Sequence, residues 1–364
     1  MNDTGNPEKI TTFRGAQIPQ FEAQILQEIE ALTNKQFKLV DKGEHSTSMG
    51  FSTENQRIIS ISLYYCGLSI LPESIGNFKS LQILDLNFNN LTTLPESIGN
   101  LESLQTLDLG LNKYTTLPES IGDLKSLENL YLGDNNLTTF PESLLKLELL
   151  QTLALWNNQL TILSDSIGNF RSLQILDLSG NQLSALPESI GNLSSLKELN
   201  LRTNQISTLP ESIGTLSSLK ELLLYKNRLT TLPESIMKLD SLQILELSNN
   251  KLTVLPESIG DLKSLQTLNL SGNQFTALPE AITKLKSLQI LILDGNQLSI
   301  LSESIGDLKS LEKLWLSYNQ LTTLPDSITN MTSLKNIYIS HNPLDSKAKS
   351  VVNQLKKKGV KVSR

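Results

Sequence analysis

Two histidines, His45 and His341, and a lone cysteine, Cys66, are the side chains of this 364-residue sequence best suited to nucleophilic or acid–base chemistry. The histidines lie far apart in sequence, near opposite ends of its regular part. Cys66 falls on an inward position of that regular pattern, where burial makes a thiol inert. No glycine-rich phosphate loop, zinc-ligand spacing or nucleophile elbow occurs, so neither cofactor nor metal is expected. The carboxylates that could pair for hydrolysis fall on an open surface that cannot exclude water. An enzyme is not expected. What remains is the chemistry of recognition. Tyr131, Trp156, Glu198, Arg202, Glu221, Tyr225, Lys226, Trp315 and Tyr318 are aromatic and charged residues at recurring offsets, which is the make-up of protein-interface anchors.

The element that positions them is a repeat. Twelve asparagines from Asn89 to Asn342 stand 23 residues apart without a slip, and one further step back lands on Cys66. Around each runs L-x-x-L-x-L-x-x-N-x-L, as in Leu81, Leu84, Leu86, Asn89 and Leu91. The L-x-L core reads as a short strand with alternate residues turned in and out. Alone it has nothing to pair with; stacked on its neighbours it becomes one rung of a parallel sheet over a continuous leucine core. A buried Asn offers both a carbonyl and an amide to the turn that follows, so the asparagines read as an internal ladder. The second half of each unit, L-T-x-L-P-E-S-I-G-x-L-x-S-L, suits a short helix or 3₁₀ turn opened by proline. Leu145, Met237, Thr283 and Thr329 replace its glycine, so that turn is expected to be helical and not left-handed.

This motif, over about residues 58–344, resembles the 23-residue intracellular leucine-rich repeats of the Ras-group and plant disease-resistance-like type. The resemblance implies an α/β fold, a right-handed leucine-rich repeat solenoid (a horseshoe) of about 13 repeats. It implies a parallel sheet on the concave face and short helices or 3₁₀ turns on the convex face. It implies too a non-enzymatic protein-binding scaffold, in small-GTPase or immune signalling, with no active site in the repeats.

A net charge of −6 argues against nucleic acid as the partner. The opening MNDTGNPEKITTFRG has no apolar run and no stretch approaches the roughly 20 apolar residues of a membrane span, so neither a standard signal peptide nor a span is expected. With one cysteine and no internal disulfide, the chain is expected to be cytoplasmic. A solenoid end exposes a slice of core that needs cover. Phe21, Ile25, Ile29 and Leu32 have helical spacing, and 37–40 and 49–51 read as short strands. Residues 18–57 are therefore expected to be an N-terminal cap, with 1–17 disordered. An independent N-terminal binding module is the alternative. Leu344, Ala348, Val351 and Leu355 share one helical face and Gly359 would end the helix, so 345–364 is expected to be a capping helix with a basic tail.

The thirteen copies also serve as their own comparison, since positions that vary are those the fold does not dictate. In the unit running from Ile83 to Phe88, residues 83, 85, 87 and 88 face away from the core. These four columns hold eight of the nine tyrosines and tryptophans: the five in the set above, with Tyr64, Tyr65 and Tyr338. They also hold eight acids (Asp85, Asp108, Asp134, Asp177, Glu198, Glu221, Glu246, Asp294) against Arg202, Lys226 and Lys313. Like charges stack at Asp85 and Asp108 and at Glu198 and Glu221, which a basic partner would relieve. The expected function is recognition of a protein or peptide with a basic patch on this acidic, aromatic face.

Overall fold

The computed structural model describes residues 8–41 and 49–363; His45 lies outside the described residues. The chain divides into two compact units, Met1–Leu160 with Asn169–Leu176, and Thr161–Gly168 with Asp177–Arg364.

The first unit opens with a hairpin, β1 (Ile10–Phe13) against β2 (Ala16–Pro19). Residues 8–17 thus differ from the expectation that 1–17 lacks structure. The cause is a tight turn at Arg14 and Gly15, both at positive φ, the geometry of a two-residue hairpin. Arg at the first turn position is a weaker sequence signal than Asn or Asp. Helix α1 (Gln20–Thr33) follows, then β3 (Lys38–Leu39), β4 (Gly50–Glu54) and β5 (Arg57–Ser62), the last two antiparallel. The helix buries Glu22, Ala23, Ile25, Leu26 and Ile29, while Leu32 stays exposed, so its inner face is rotated from the one the spacing suggested.

Glu22 is a buried carboxylate in this apolar face. It accepts from the Ile58 N–H at 3.0 Å and from Arg57 at 3.4 Å, joining the helix to the first long strand. Burial pushes its pKa up, and the Ile58 and Arg57 contacts oppose that shift. Glu28 on the same helix accepts from the Ser74 hydroxyl, and the Lys35 ammonium reaches the Tyr65 carbonyl at 2.6 Å.

From β5 the repeats take over. β6 (Ile83–Asp85), β7 (Thr106–Asp108), β8 (Asn129–Tyr131) and β9 (Thr152–Ala154) pair in parallel, each residue opposite its counterpart 23 positions on. β10 (Ile175–Asp177) has the same form. In the second unit the ladder runs from β11 (Glu198–Asn200), β12 (Glu221–Leu223) and β13 (Ile244–Glu246) through β14 (Thr267–Asn269), β15 (Ile290–Ile292) and β16 (Lys313–Trp315) to β17 (Asn336–Tyr338). Helix α2 (Ser346–Lys357) then buries Ala348, Val351, Val352 and Leu355. Gly359 at φ +85° ends it, and the basic tail returns as β18 (Lys361–Ser363), parallel to β17. The fold is the expected α/β repeat solenoid.

Twelve five-residue 3₁₀ turns form the other side of the described repeats, from Glu73–Asn77 to Asp326–Asn330. Their glycines are helical, as expected. Packing explains the residue choice: a Cβ on Gly76 would stand 2.3 Å from the Ser97 carbonyl oxygen of the next repeat.

The asparagine ladder is explicit. Asn112 Nδ2 donates to the carbonyls of Leu86 (2.9 Å), Leu109 (3.1 Å) and Gly110 (3.0 Å), and Oδ1 accepts from the Leu91 N–H (3.0 Å). One side chain therefore ties its own turn to the preceding rung, satisfying groups the strand leaves orphaned. Asn250 makes the same four bonds in the second unit. Cys66 begins the ladder, where the upstream neighbour is the N-terminal segment and not another repeat.

Candidate functional site

With the leucines turned inward, the alternate residues of each strand form the open face of the sheet. The candidate residues fall on both units. In the first, Tyr131 stands next in column to Asp108, and Asp108 pairs in register with Asp85. Asp108 accepts from the Gly110 N–H (2.9 Å) and from Asn87 Nδ2 (3.0 Å); burial raises its pKa and these two bonds oppose the rise. Burial and the nearby Asp108 charge raise the Tyr131 pKa. The Trp156 indole packs against Gly133 of the preceding rung, where an added Cβ would sit 2.1 Å from the ring. At the start of the sheet Tyr65 and Phe88 meet edge to face at 4.8 Å, Tyr64 packs 6.1 Å from Phe88, and the Lys35 ammonium lies 5.6 Å from the Tyr65 ring.

In the second unit Glu198 and Glu221 are direct register partners. Burial raises the Glu198 pKa first, the charges of Glu221 and Asp177 add to it, and Arg202 opposes it. Arg202, Tyr225 and Lys226 are exposed in these same two repeats, so five of the candidate residues share one small area. Trp315 and Tyr338 stack face to face at 4.9 Å, and Tyr318 stacks on His341 at 4.1 Å. The one described histidine is therefore a ring partner on an exposed surface.

One signal escaped the sequence reading. The residue just before each ladder position has positive φ in all thirteen copies: Tyr65, Phe88, Leu111, Asp134, Asn157, Gly180, Thr203, Lys226, Asn249, Gly272, Gly295, Tyr318 and His341. The turn demands a left-handed residue there. Gly, Asn and Asp adopt it cheaply, whereas a bulky L-residue costs on the order of 1 kcal/mol or more. Six copies use the cheap residues and seven do not. Tyr65, Phe88, Tyr318 and Lys226 are exposed as well as strained, so neither core packing nor backbone preference accounts for them. The signal was legible in principle as a column mixing glycine and asparagine with rings.

The repeat pattern has a match among known families: the family described as leucine-rich repeat region matches residues 59–155, 163–250, 189–272 and 268–358. The chain belongs to the leucine-rich repeat family. No curated protein matches it. Among solved structures, a leucine-rich repeat protein of Leptospira interrogans is 37% identical, with a TM-score of 0.73 and 83% of each chain covered. A plant peptide hormone receptor, RGFR1 in complex with RGF2, is 29% identical with a TM-score of 0.60; the match covers 87% of this chain and only 57% of the receptor. An internalin of Listeria monocytogenes, 22% identical over 94% of each chain with a TM-score of 0.74, shares the fold. Among the described residues, no group of three or more His, Cys, Asp and Glu could hold a metal, and no helix is long and apolar enough to cross a membrane.

Proposed function

We propose that this leucine-rich repeat protein is a non-enzymatic binding scaffold that takes a protein or peptide on the open face of its sheet. The observation that carries this reading is the left-handed column. Tyr65, Phe88, Lys226 and Tyr318 occupy positions where Gly or Asn would hold the turn with less strain. The excess of acids in the flanking columns favours a partner with a basic patch, drawn in by the field. A peptide ligand is in keeping with the peptide hormone receptor among its structural neighbours. A small-GTPase or related signalling role and a cytoplasmic setting rest on the motif resemblance and on the single Cys66. The N-terminal segment is better read as a cap than as an independent module, because Glu22, Glu28 and Lys35 bond directly to the first repeat region. Affinity capture with the intact chain tests the proposal. A captured protein should be lost from a chain carrying Trp156→Ala and Tyr225→Ala; equal capture by both would overturn the open face as the binding surface.

A further inference from the structure

The start of the sheet face, within the first unit, combines two features that the rest of the face does not. Three consecutive repeats carry large apolar residues in the strained column, and all three are exposed: Tyr65 at 61%, Phe88 at 42% and Leu111 at 36%. From Asp134 to His341 that column holds no other run of three large apolar residues. Beside this stripe, two columns over, lies a shallow depression of about 540 Å³ lined by Ile83, Leu84, Asp85, Thr106, Asp108 and Tyr131. Ile83 and Tyr131 are its outward apolar and aromatic lining, and Asp85 and Asp108 stand on adjacent rungs in direct register. The donors to Asp108, a backbone N–H and an amide, are neutral. A depression lined by two carboxylates, an isoleucine and a tyrosine suits the stem and head of a Lys or Arg side chain, which buries its methylenes and offers its charge. The apolar stripe suits one large hydrophobic residue.

Building on the proposed sheet-face function, we infer that this part of the face docks a peptide segment in the polyproline II conformation bearing a cationic side chain and an apolar one three residues apart. The spacing follows from the fold. The column of Asp85 and Asp108 and the column of Phe88 and Leu111 lie three residues apart along each repeat, at most about 10 Å. A peptide in the polyproline II conformation, with three residues per turn and a rise of about 3.1 Å each, brings residues i and i+3 to the same side about 9 Å apart. Charge complementarity selects the cation, and the unbroken stripe of strained apolar residues marks where the hydrophobic side chain goes.

Selection of random 12-residue peptides on the full chain tests this directly. Selected peptides should share a Lys or Arg three residues from a Phe, Leu, Trp or Met. Their affinity should fall at least tenfold on a chain with Asp85→Asn and Asp108→Asn, which keeps the shape and the local turn bonds. It should fall similarly with Phe88→Asn, which relieves backbone strain and so should not unfold the repeat. Peptides without the shared spacing, or with equal affinity for the substituted chains, overturn the inference. If such peptides instead lose affinity with Tyr225→Ala, the sheet-face function stands and this docking site falls. If neither set of substitutions matters, both fall.

Discussion

At the residue scale, the ladder asparagine carries more of the fold than its size suggests. Asn250 serves four backbone groups on two rungs, so Asn250→Ala leaves several of them buried and unpaired. The expected loss is about 1–3 kcal/mol in chemical denaturation. Cys66 suggests from sequence that Cys could substitute, but it stands where no earlier repeat presents the same groups. Asn250→Cys should therefore cost nearly as much as Asn250→Ala; a near-neutral Cys would show that the link to the preceding rung is dispensable. The left-handed column makes the opposite prediction. Lys226→Asn adopts the residue used at Asn157 and Asn249 and should raise stability by about 1 kcal/mol. The same change should weaken partner binding. A substitution that stabilises and still binds fully would remove the functional reading of the strain. The leucine and asparagine positions were legible because they repeat; the strained column was harder to see, because there the repeats disagree on side chain while agreeing on backbone.

At the element scale, the ends differ from the middle. The repeat strands and 3₁₀ turns follow from a 23-residue period that states the same preference many times over. The N-terminal segment has no second copy. Its hairpin hung on an Arg–Gly turn, and its helix turned its face to bury Glu22, which amphipathic spacing alone reads as exposed. The hairpin departs through a local turn whose sequence signal is weak, and the helix through the contacts of Glu22 with Ile58 and Arg57 of the first repeat. Removal of residues 1–56 should therefore expose the apolar face of β5 and the first repeats. The truncated chain should aggregate or lose its first repeats at lower denaturant than the rest, seen as an added early transition in a far-ultraviolet circular dichroism titration. A monomeric truncation with unchanged unfolding would mean that the segment is a separate module.

At the scale of the whole molecule, every repeat satisfies the same core, so what distinguishes this chain from any other stack of such repeats is the pattern on its open face. The sequence placed aromatic rings and charges there because the columns vary, and the structure sets them side by side in space: Trp156 on Gly133, Glu198 on Glu221, Trp315 on Tyr338. The sequence left open which of them a partner touches, since that depends on shape the partner supplies. The decisive measurement is the affinity of a captured partner for two sets of single variants at two salt concentrations. Trp156→Ala and Tyr225→Ala, on the open face, should each weaken binding by about 2 kcal/mol with the unfolding midpoint nearly unchanged. Glu96→Ala and Glu211→Ala, on the 3₁₀ side, should leave affinity intact, and raised salt should slow association as it screens the acidic face. Loss of binding with the 3₁₀-side variants and full binding with the open-face ones would contradict the account.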